Sequence, residues 1–183
     1  MRRVMAFFLA GAAALATPAA ASAGGFLSPY IGVNFGGDTL QKSTVYGGAF
    51  GVLGQKSGFE VDFGYTREFF GDDTLDVDGK LVTVMVNTLM GGKRAGFSPY
   101  VALGGGLIRT NITVLGDVTD LEAAKNSFGG NVGAGFFAGG KSVTLRADVR
   151  YFRAFNFDDG LGLDVIKDTL GFWRGTVGVG LMW

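Results

Sequence analysis

The chain has 183 residues, 48% of them hydrophobic, with 33 glycines, 17 phenylalanines, three prolines, and neither cysteine nor histidine. Its formal net charge is zero. The missing cysteines exclude disulfide staples and thiolate metal sites, the missing histidines exclude the commonest metal ligand and general base, and the charge balance argues against a nucleic-acid partner.

Arg2 and Arg3 open the chain, ahead of an apolar run of 13 residues from Val4 to Ala16 and a small-x-small site at Ala21-Ser22-Ala23. This is the pattern of a secretory signal peptide, too short for a membrane-spanning helix. We expect residues 1–23 to be removed, leaving one domain, 24–183, with 14 basic and 16 acidic residues. No later segment approaches 18 consecutive apolar residues, so no helix is expected to cross a membrane.

Eight alternating segments follow. The predicted strands are Ser28–Gly37, Val45–Leu53, Gly58–Arg67, Leu81–Gly91, Phe97–Arg109, Phe128–Ala138, Ser142–Arg153 and Phe172–Trp183, each nine to thirteen residues long. That length lets a tilted strand cross the hydrocarbon layer. Short links at Gly54–Ser57, Gly92–Gly96 and Gly139–Lys141 alternate with longer ones at Asp38–Thr44, Glu68–Lys80, Thr110–Ser127 and Ala154–Gly171. The short links hold Lys56, Lys93, Arg94 and Lys141 and no acid, whereas the long links hold 13 of the 16 acids. Tight turns on one rim and ragged acidic loops on the other describe a sheet closed across a bilayer. An even strand count places both mature termini on the short-turn, periplasmic side.

Strand parity separates two faces. In the first strand Tyr30 and Asn34 point inward, and Ile31, Val33 and Phe35 outward. The second strand, Val45-Tyr46-Gly47-Gly48-Ala49-Phe50-Gly51-Val52-Leu53, does not declare its face. In the third, Glu60, Asp62 and Gly64 oppose Phe59, Val61, Phe63 and Tyr65; in the fourth, Thr83 and Asn87 oppose Val82, Val84 and Val86. The seventh puts Arg146, Asp148 and Arg150 on one face, and the eighth puts Arg174 there, with Val177, Val179, Leu181 and Trp183 opposite. Because a charge on the lipid face costs about 2–4 kcal/mol near the midplane, the charged face is the lumen. Glu60, Asp62, Arg146, Asp148, Arg150 and Arg174 are therefore expected to form a lumen ionic network, three of each sign. The inward glycines Gly32, Gly36, Gly64, Gly104, Gly106, Gly133, Gly135, Gly178 and Gly180 read as room for arginine and tyrosine. A water-filled passage is the alternative.

The long loops carry weaker signals. Asp72, Asp73, Asp76 and Asp78, in Asp72-Asp73-Thr74-Leu75-Asp76-Val77-Asp78-Gly79, form a possible weak divalent cation loop. That stretch departs from the EF-hand pattern at Thr74 and again at the twelfth position, Met85, so a solvated acidic loop is the plainer reading and no metal site is assigned. Thr119-Asp120-Leu121-Glu122 has the form of a capping box and predicts one or two helical turns. Leu161, Leu163, Val165 and Ile166 in the last loop either pack together or offer a contact surface. Phe69, Phe70, Tyr151, Phe152, Phe155, Phe157, Phe172 and Trp173 read as an outer interfacial girdle, with lumen or loop packing for some.

Gly135-Phe136-Phe137-Ala138-Gly139-Gly140-Lys141-Ser142 matches the phosphate-binding loop in full, but a strand-patterned segment follows where that chemistry needs a helix. Glu60 and Asp62 lie two apart on one face, the spacing of an acid/base pair, yet pairing with Arg146, Arg150 and Arg174 explains them more simply. No catalytic residue and no cofactor is expected.

Pro29-Tyr30-Ile31-Gly32, the stretch Ser98-Pro99-Tyr100-Val101-Ala102-Leu103-Gly104-Gly105-Gly106, and the end Val177-Gly178-Val179-Gly180-Leu181-Met182-Trp183 resemble the small bacterial outer-membrane β-barrels of the OmpA/OmpX type. The resemblance covers the whole mature chain. It implies an all-β fold, an eight-stranded antiparallel up-and-down transmembrane β-barrel in the bacterial outer membrane. It also implies that Val177, Val179, Leu181 and Trp183 form a C-terminal signal for the outer-membrane assembly machinery, with tryptophan where phenylalanine is usual. The peptidoglycan-binding domain of some relatives is not expected.

Together these readings predict a structural and surface-interaction protein with four acidic extracellular loops on a charged, side-chain-filled barrel. Its expected partners are outer-membrane lipid and lipopolysaccharide, and the assembly machinery during biogenesis; the sequence names no extracellular partner. A narrow porin-like channel for small solutes or ions is the alternative. A soluble lipocalin-shaped barrel would need the opposite facing of the third and seventh strands.

Overall fold

The computed structural model describes residues 24–39, 42–67, 69, 77–91, 96–114, 121–155 and 170–183, without the side chains of 77–78 and 112–125. The expected signal peptide lies outside this range, as do Phe70, Phe157, the apolar residues of the last loop, Asp72, Asp73 and Asp76, and the Asp78 side chain.

Eight strands form: β1 (Gly24–Phe35), β2 (Ser43–Leu53), β3 (Ser57–Thr66), β4 (Val77–Gly91), β5 (Phe97–Val114), β6 (Leu121–Gly139), β7 (Val143–Phe155) and β8 (Gly171–Met182). Each pairs antiparallel with its chain neighbour, and β8 returns to β1, so the sheet is a closed barrel. Closure pairs the backbone groups that an open edge would leave free. No helix occurs among the described residues.

The short rim is built by tight turns. The Gly54 N–H donates to the Ser57 carbonyl at 2.8 Å, and the Gly140 N–H to the Val143 carbonyl at 2.9 Å. The Gly139–Lys141 segment therefore turns one strand into the next, and β7 stands where nucleotide chemistry would need a helix. The seam between β1 and β8 is tied at both rims. Asp38 N–H donates to the Gly171 carbonyl (2.8 Å) and Gly171 N–H to Asp38 Oδ2 (2.7 Å), while Trp183 N–H donates to the Gly25 carbonyl (3.1 Å) at the other end. Between them the seam register pairs Phe26–Leu27 and Tyr30–Phe35 with β8 and skips Ser28 and Pro29. Proline has no N–H to give a ladder.

Three expectations are corrected. The second long link does not extend to Lys80: β4 begins at Val77, so Asp78 is a strand residue paired with Thr113. The third long link does not run from Thr110 to Ser127: β5 and β6 continue as a ladder to the pair Val114–Leu121, so Leu121 and Glu122 are strand residues, not part of a helical turn. The run of β-branched residues Ile112-Thr113-Val114 extends the hairpin and overrides the local capping signal. Gly36 is not an inward strand glycine. It lies past the end of β1 with φ +64°, an exposed turn position where a left-handed backbone favours glycine.

Side chains alternate across the wall. β7 buries Thr144, Arg146, Asp148, Arg150, Phe152 and Ala154, and exposes Val143, Leu145, Val149, Arg153 and Phe155. β2 has its face settled by the fold: Val45, Gly47, Ala49 and Gly51 point inward, and Tyr46, Phe50 and Val52 outward. Inside, two apolar layers bracket a polar middle. Phe69, Leu81, Met85, Ile108, Phe152, Ala154 and Phe172 fill the long-loop end, and Phe26, Ala49, Leu89, Tyr100, Ala102 and Phe137 fill the short-turn end. Of the expected girdle, Phe69, Phe152 and Phe172 are thus interior, with Phe152 and Phe172 stacked at 5.1 Å. Tyr151 and Trp173 pair at 5.2 Å on β7 and β8, where Trp173 is exposed.

Candidate functional site

All six charged residues singled out from the sequence are buried inside the barrel: Glu60, Asp62, Arg146, Asp148, Arg150 and Arg174. Four of them join directly. Glu60 Oε2 accepts from Arg146 Nη2 at 2.7 Å, and Glu60 Oε1 from Arg150 Nη1 at 2.6 Å. Asp148 Oδ2 lies 3.1 Å from Nη2 of both arginines. Two carboxylates thus alternate with two guanidiniums in a neutral cluster joining β3 to β7 across the lumen. The arrangement follows from residue choice: the planar guanidinium offers several donors to two acceptors at once.

Neutral groups complete the cluster. Asn87 Nδ2 donates to Glu60 Oε1 (2.9 Å), and Asn131 Nδ2 donates to Asn87 Oδ1 (2.7 Å). Tyr100 Oη donates to Asp148 Oδ2 (2.8 Å) and accepts from Arg146 Nε (2.9 Å); Thr176 Oγ1 donates to Asp148 Oδ1 (3.1 Å). The Arg146 guanidinium also lies 5.1 to 5.7 Å from the ring centroids of Phe26, Tyr100 and Phe137, which roof it from the short-turn end. At such positions unpaired charge is costly; within the cluster Asn131 Oδ1 and Arg146 Nη1 are buried without a hydrogen-bond partner.

The other two residues stand apart from this cluster. Arg174 makes no ion pair among the described residues. It donates Nε to Asn34 Oδ1 (2.8 Å) and Nη1 to Thr83 Oγ1 (2.9 Å), and its guanidinium lies 4.5 Å from the Phe152 ring centroid. Gly64 makes the space: a Cβ there would meet Arg174 Nη1 and come within 2.8 Å of Thr83 Oγ1. Asp62 accepts from Tyr30 Oη at 3.2 Å and likewise has no ion pair among the described residues. The expected six-member network is therefore a four-member cluster flanked by an acid and a base held through hydroxyls, amides and rings.

Chemically, both oxygens of Glu60 and of Asp148 are engaged by guanidinium donors, so neither carboxylate is free to act as a general base. No group of His, Cys, Asp or Glu that could hold a metal ion is found among the described residues. Sequence reasoning missed the closing hydroxyl of Tyr100 and the amide of Asn131. Parity could have found them, since Tyr100 shares a face with Ala102, Gly104 and Gly106, and Asn131 with Gly133 and Gly135.

At the short-turn end lies an open cavity of about 570 Å³, lined by Phe26, Leu53, Phe97, Phe137, Met182 and Trp183 among others. The side chains Val177, Val179, Leu181 and Trp183 all point outward and are exposed. Both chain ends of the barrel, Gly24 and Trp183, lie at this rim.

These observations define a closed eight-stranded antiparallel barrel with a charged interior and an apolar exterior, the fold of small outer-membrane barrels. It is shared with the N-terminal β-barrel domain of Pseudomonas aeruginosa OprF, at 20% identity over 87% of this chain and 97% of that one, TM-score 0.53. Neisserial surface protein A matches at 15% identity over 88% and 97%, TM-score 0.62. Ail, the attachment invasion locus protein of Yersinia pestis, solved with the heparin analogue sucrose octasulfate, matches at 15% identity over 88% and 98%, TM-score 0.58. No protein-family model matches the chain, and no curated protein does.

Proposed function

We propose that the chain is an integral protein of a bacterial outer membrane, serving as a structural anchor that presents its acidic loop segments at the cell surface. The observation that carries this reading is the inverted polarity of the wall. Arg146, Arg150 and Arg174 are each 2% exposed, while Leu107 is 58% exposed and Val86 52%. In water that arrangement would leave a continuous apolar belt uncovered; in a bilayer the belt is solvated by hydrocarbon. From Phe97 to Leu107 the outward face of β5 is free of charge, a height of about 25 Å for a tilted strand, which matches a hydrocarbon layer.

Three further assignments rest on the same reading. The rim holding Gly24 and Trp183 faces the periplasm. Outward Val177, Val179, Leu181 and Trp183 serve as the recognition signal for the assembly machinery. The long-loop segments face outward, where Ail, a barrel of the same fold, is named for attachment and invasion. The ionic cluster acts as a register lock, since slipping one residue would carry Arg146, Asp148 and Arg150 into lipid. We assign the chain no catalytic step. We also read the lumen as plugged rather than conducting, because the ionic layer lies between two apolar layers and the short-turn cavity meets the Phe26 and Phe137 rings.

Carbonate-resistant membrane association and heat-dependent gel migration of the folded protein are the expected results; recovery as a soluble periplasmic protein overturns the assignment. Planar-bilayer recordings are expected to show no steady conductance. A stable conductance altered by Arg150→Ala would establish the channel reading instead.

A further inference from the structure

On the outer wall at the long-loop rim, exposed basic residues succeed the apolar belt on adjacent strands. Outward positions on β3 run Phe59, Val61, Phe63 and Tyr65 toward the long-loop end, and exposed Arg67 continues the series. On β4 exposed Lys80 stands beyond Val82, Val84 and Val86; on β5 exposed Arg109 stands beyond Leu103 and Leu107. Lys42, also exposed, directly precedes β2. These four lie at the long-loop ends of four consecutive strands, β2 to β5, while Arg153, exposed at the same rim on β7, stands apart from them. Thr66 pairs with both Val45 and Leu81, which sets Arg67 beside Lys80, and Arg109 pairs with Val82, one step along from Lys80. None of the four makes an ion pair among the described residues, and the described outward strand side chains include no carboxylate. Arg146 and Arg150, by contrast, are paired with Glu60 and Asp148 inside the barrel.

Building on the membrane reading above, we propose that Lys42, Arg67, Lys80 and Arg109 form a collar that binds the phosphate groups of anionic lipids in the leaflet on the long-loop side. Two features select a lipid rather than a soluble anion. The collar is continuous with the apolar face, so a ligand on it also lies along Tyr65, Val82 and Leu107, as an acyl chain does. Long basic side chains at this depth reach to the interface, bringing four charges to the level of the headgroups. Fixed anionic phosphates there supply counter-charge, with each basic residue adding to the attraction.

The test inserts the folded protein into phosphatidylcholine vesicles carrying phosphatidic acid, or diacylglycerol in its place, and counts lipids retained per barrel by native mass spectrometry. Phosphatidic acid is expected to be enriched over phosphatidylcholine, with no such enrichment of diacylglycerol. Each of K42Q, R67Q, K80Q and R109Q is expected to lower the enrichment about fivefold until none remains. K56Q/K141Q, in the turns of the opposite rim, is expected to leave it unchanged. Equal retention of phosphatidic acid and diacylglycerol by the unaltered barrel overturns the collar, whatever the variants do. So does enrichment that survives the quadruple variant. Binding of a soluble heparin fragment that the quadruple variant abolishes, without any lipid preference, assigns the collar to a soluble polyanion and also overturns the proposal. A chain that never gains its heat-modifiable folded form in either vesicle overturns the membrane reading itself; insertion without headgroup preference overturns only the collar.

Discussion

β7 and β2 lie on one barrel and meet the same two environments, yet they contribute opposite things to the lumen. β7 sends Arg146, Asp148, Arg150 and Phe152 inward; β2 sends Val45, Gly47, Ala49 and Gly51. The two are complementary, because eight strands enclose a lumen only just wide enough for side chains to fill. Volume taken by guanidiniums and rings from one strand must be yielded by another. Gly47 shows this directly: a Cβ there would come within 2.5 Å of both Tyr30 Cζ and Tyr30 Oη, in the ring that supports Asp62. One strand supplies the charge, and the other supplies the room.

The comparison breaks hardest on the β7 side. Arg150→Ala removes one of the two partners shared by Glu60 and Asp148 and leaves the buried cluster with an excess negative charge, so a loss of about 3–5 kcal/mol is expected in urea unfolding from lipid vesicles. Adding Glu60→Gln should recover part of it; a small loss in the single variant would mean the cluster does not hold the wall together. On β2, Ala49→Leu forces added volume against the short-turn layer, and about 1–3 kcal/mol should be lost in the same titration. An unchanged midpoint there would show that β2 yields no needed space. The smallest effect sharpens the inside–outside division. Outward Gly48 has nothing nearer to a new Cβ than the Ser28 carbonyl at 3.8 Å, so Gly48→Ala should shift stability by no more than about 0.5 kcal/mol.

The same two strands show what could be read before folding. β7 announces its faces because Arg146, Asp148 and Arg150 alternate against Leu145 and Val149, and a one-residue slip would expose three charges to lipid. β2 offers glycine and apolar residues to both sides, and only its pairing with Glu60 and Asp62 on β3 settles which face is inner. Strand number, strand order and the inner charges were therefore legible. The division of those charges was not, because parity gives direction but not depth. Arg174 is stationed toward the Phe152 and Phe172 layer by the gap at Gly64, and nothing local to Arg174 encodes that. The extension of β5 and β6 to Val114 and Leu121 escaped notice for a related reason: hairpin pairing is non-local, whereas a capping signal is read within four residues.

The junction of β1 with β8 joins the two extremes of the chain, and it is fastened by Asp38 and Gly171 at one rim and by Trp183 and Gly25 at the other, with an interruption at Ser28 and Pro29 between. Such a join resists fraying, because an intruding strand finds no loose end to displace. Its weak point is internal. Amide deuteration along this junction would advance from Pro29 toward the rims, the reverse of a zipper pulled from its tab.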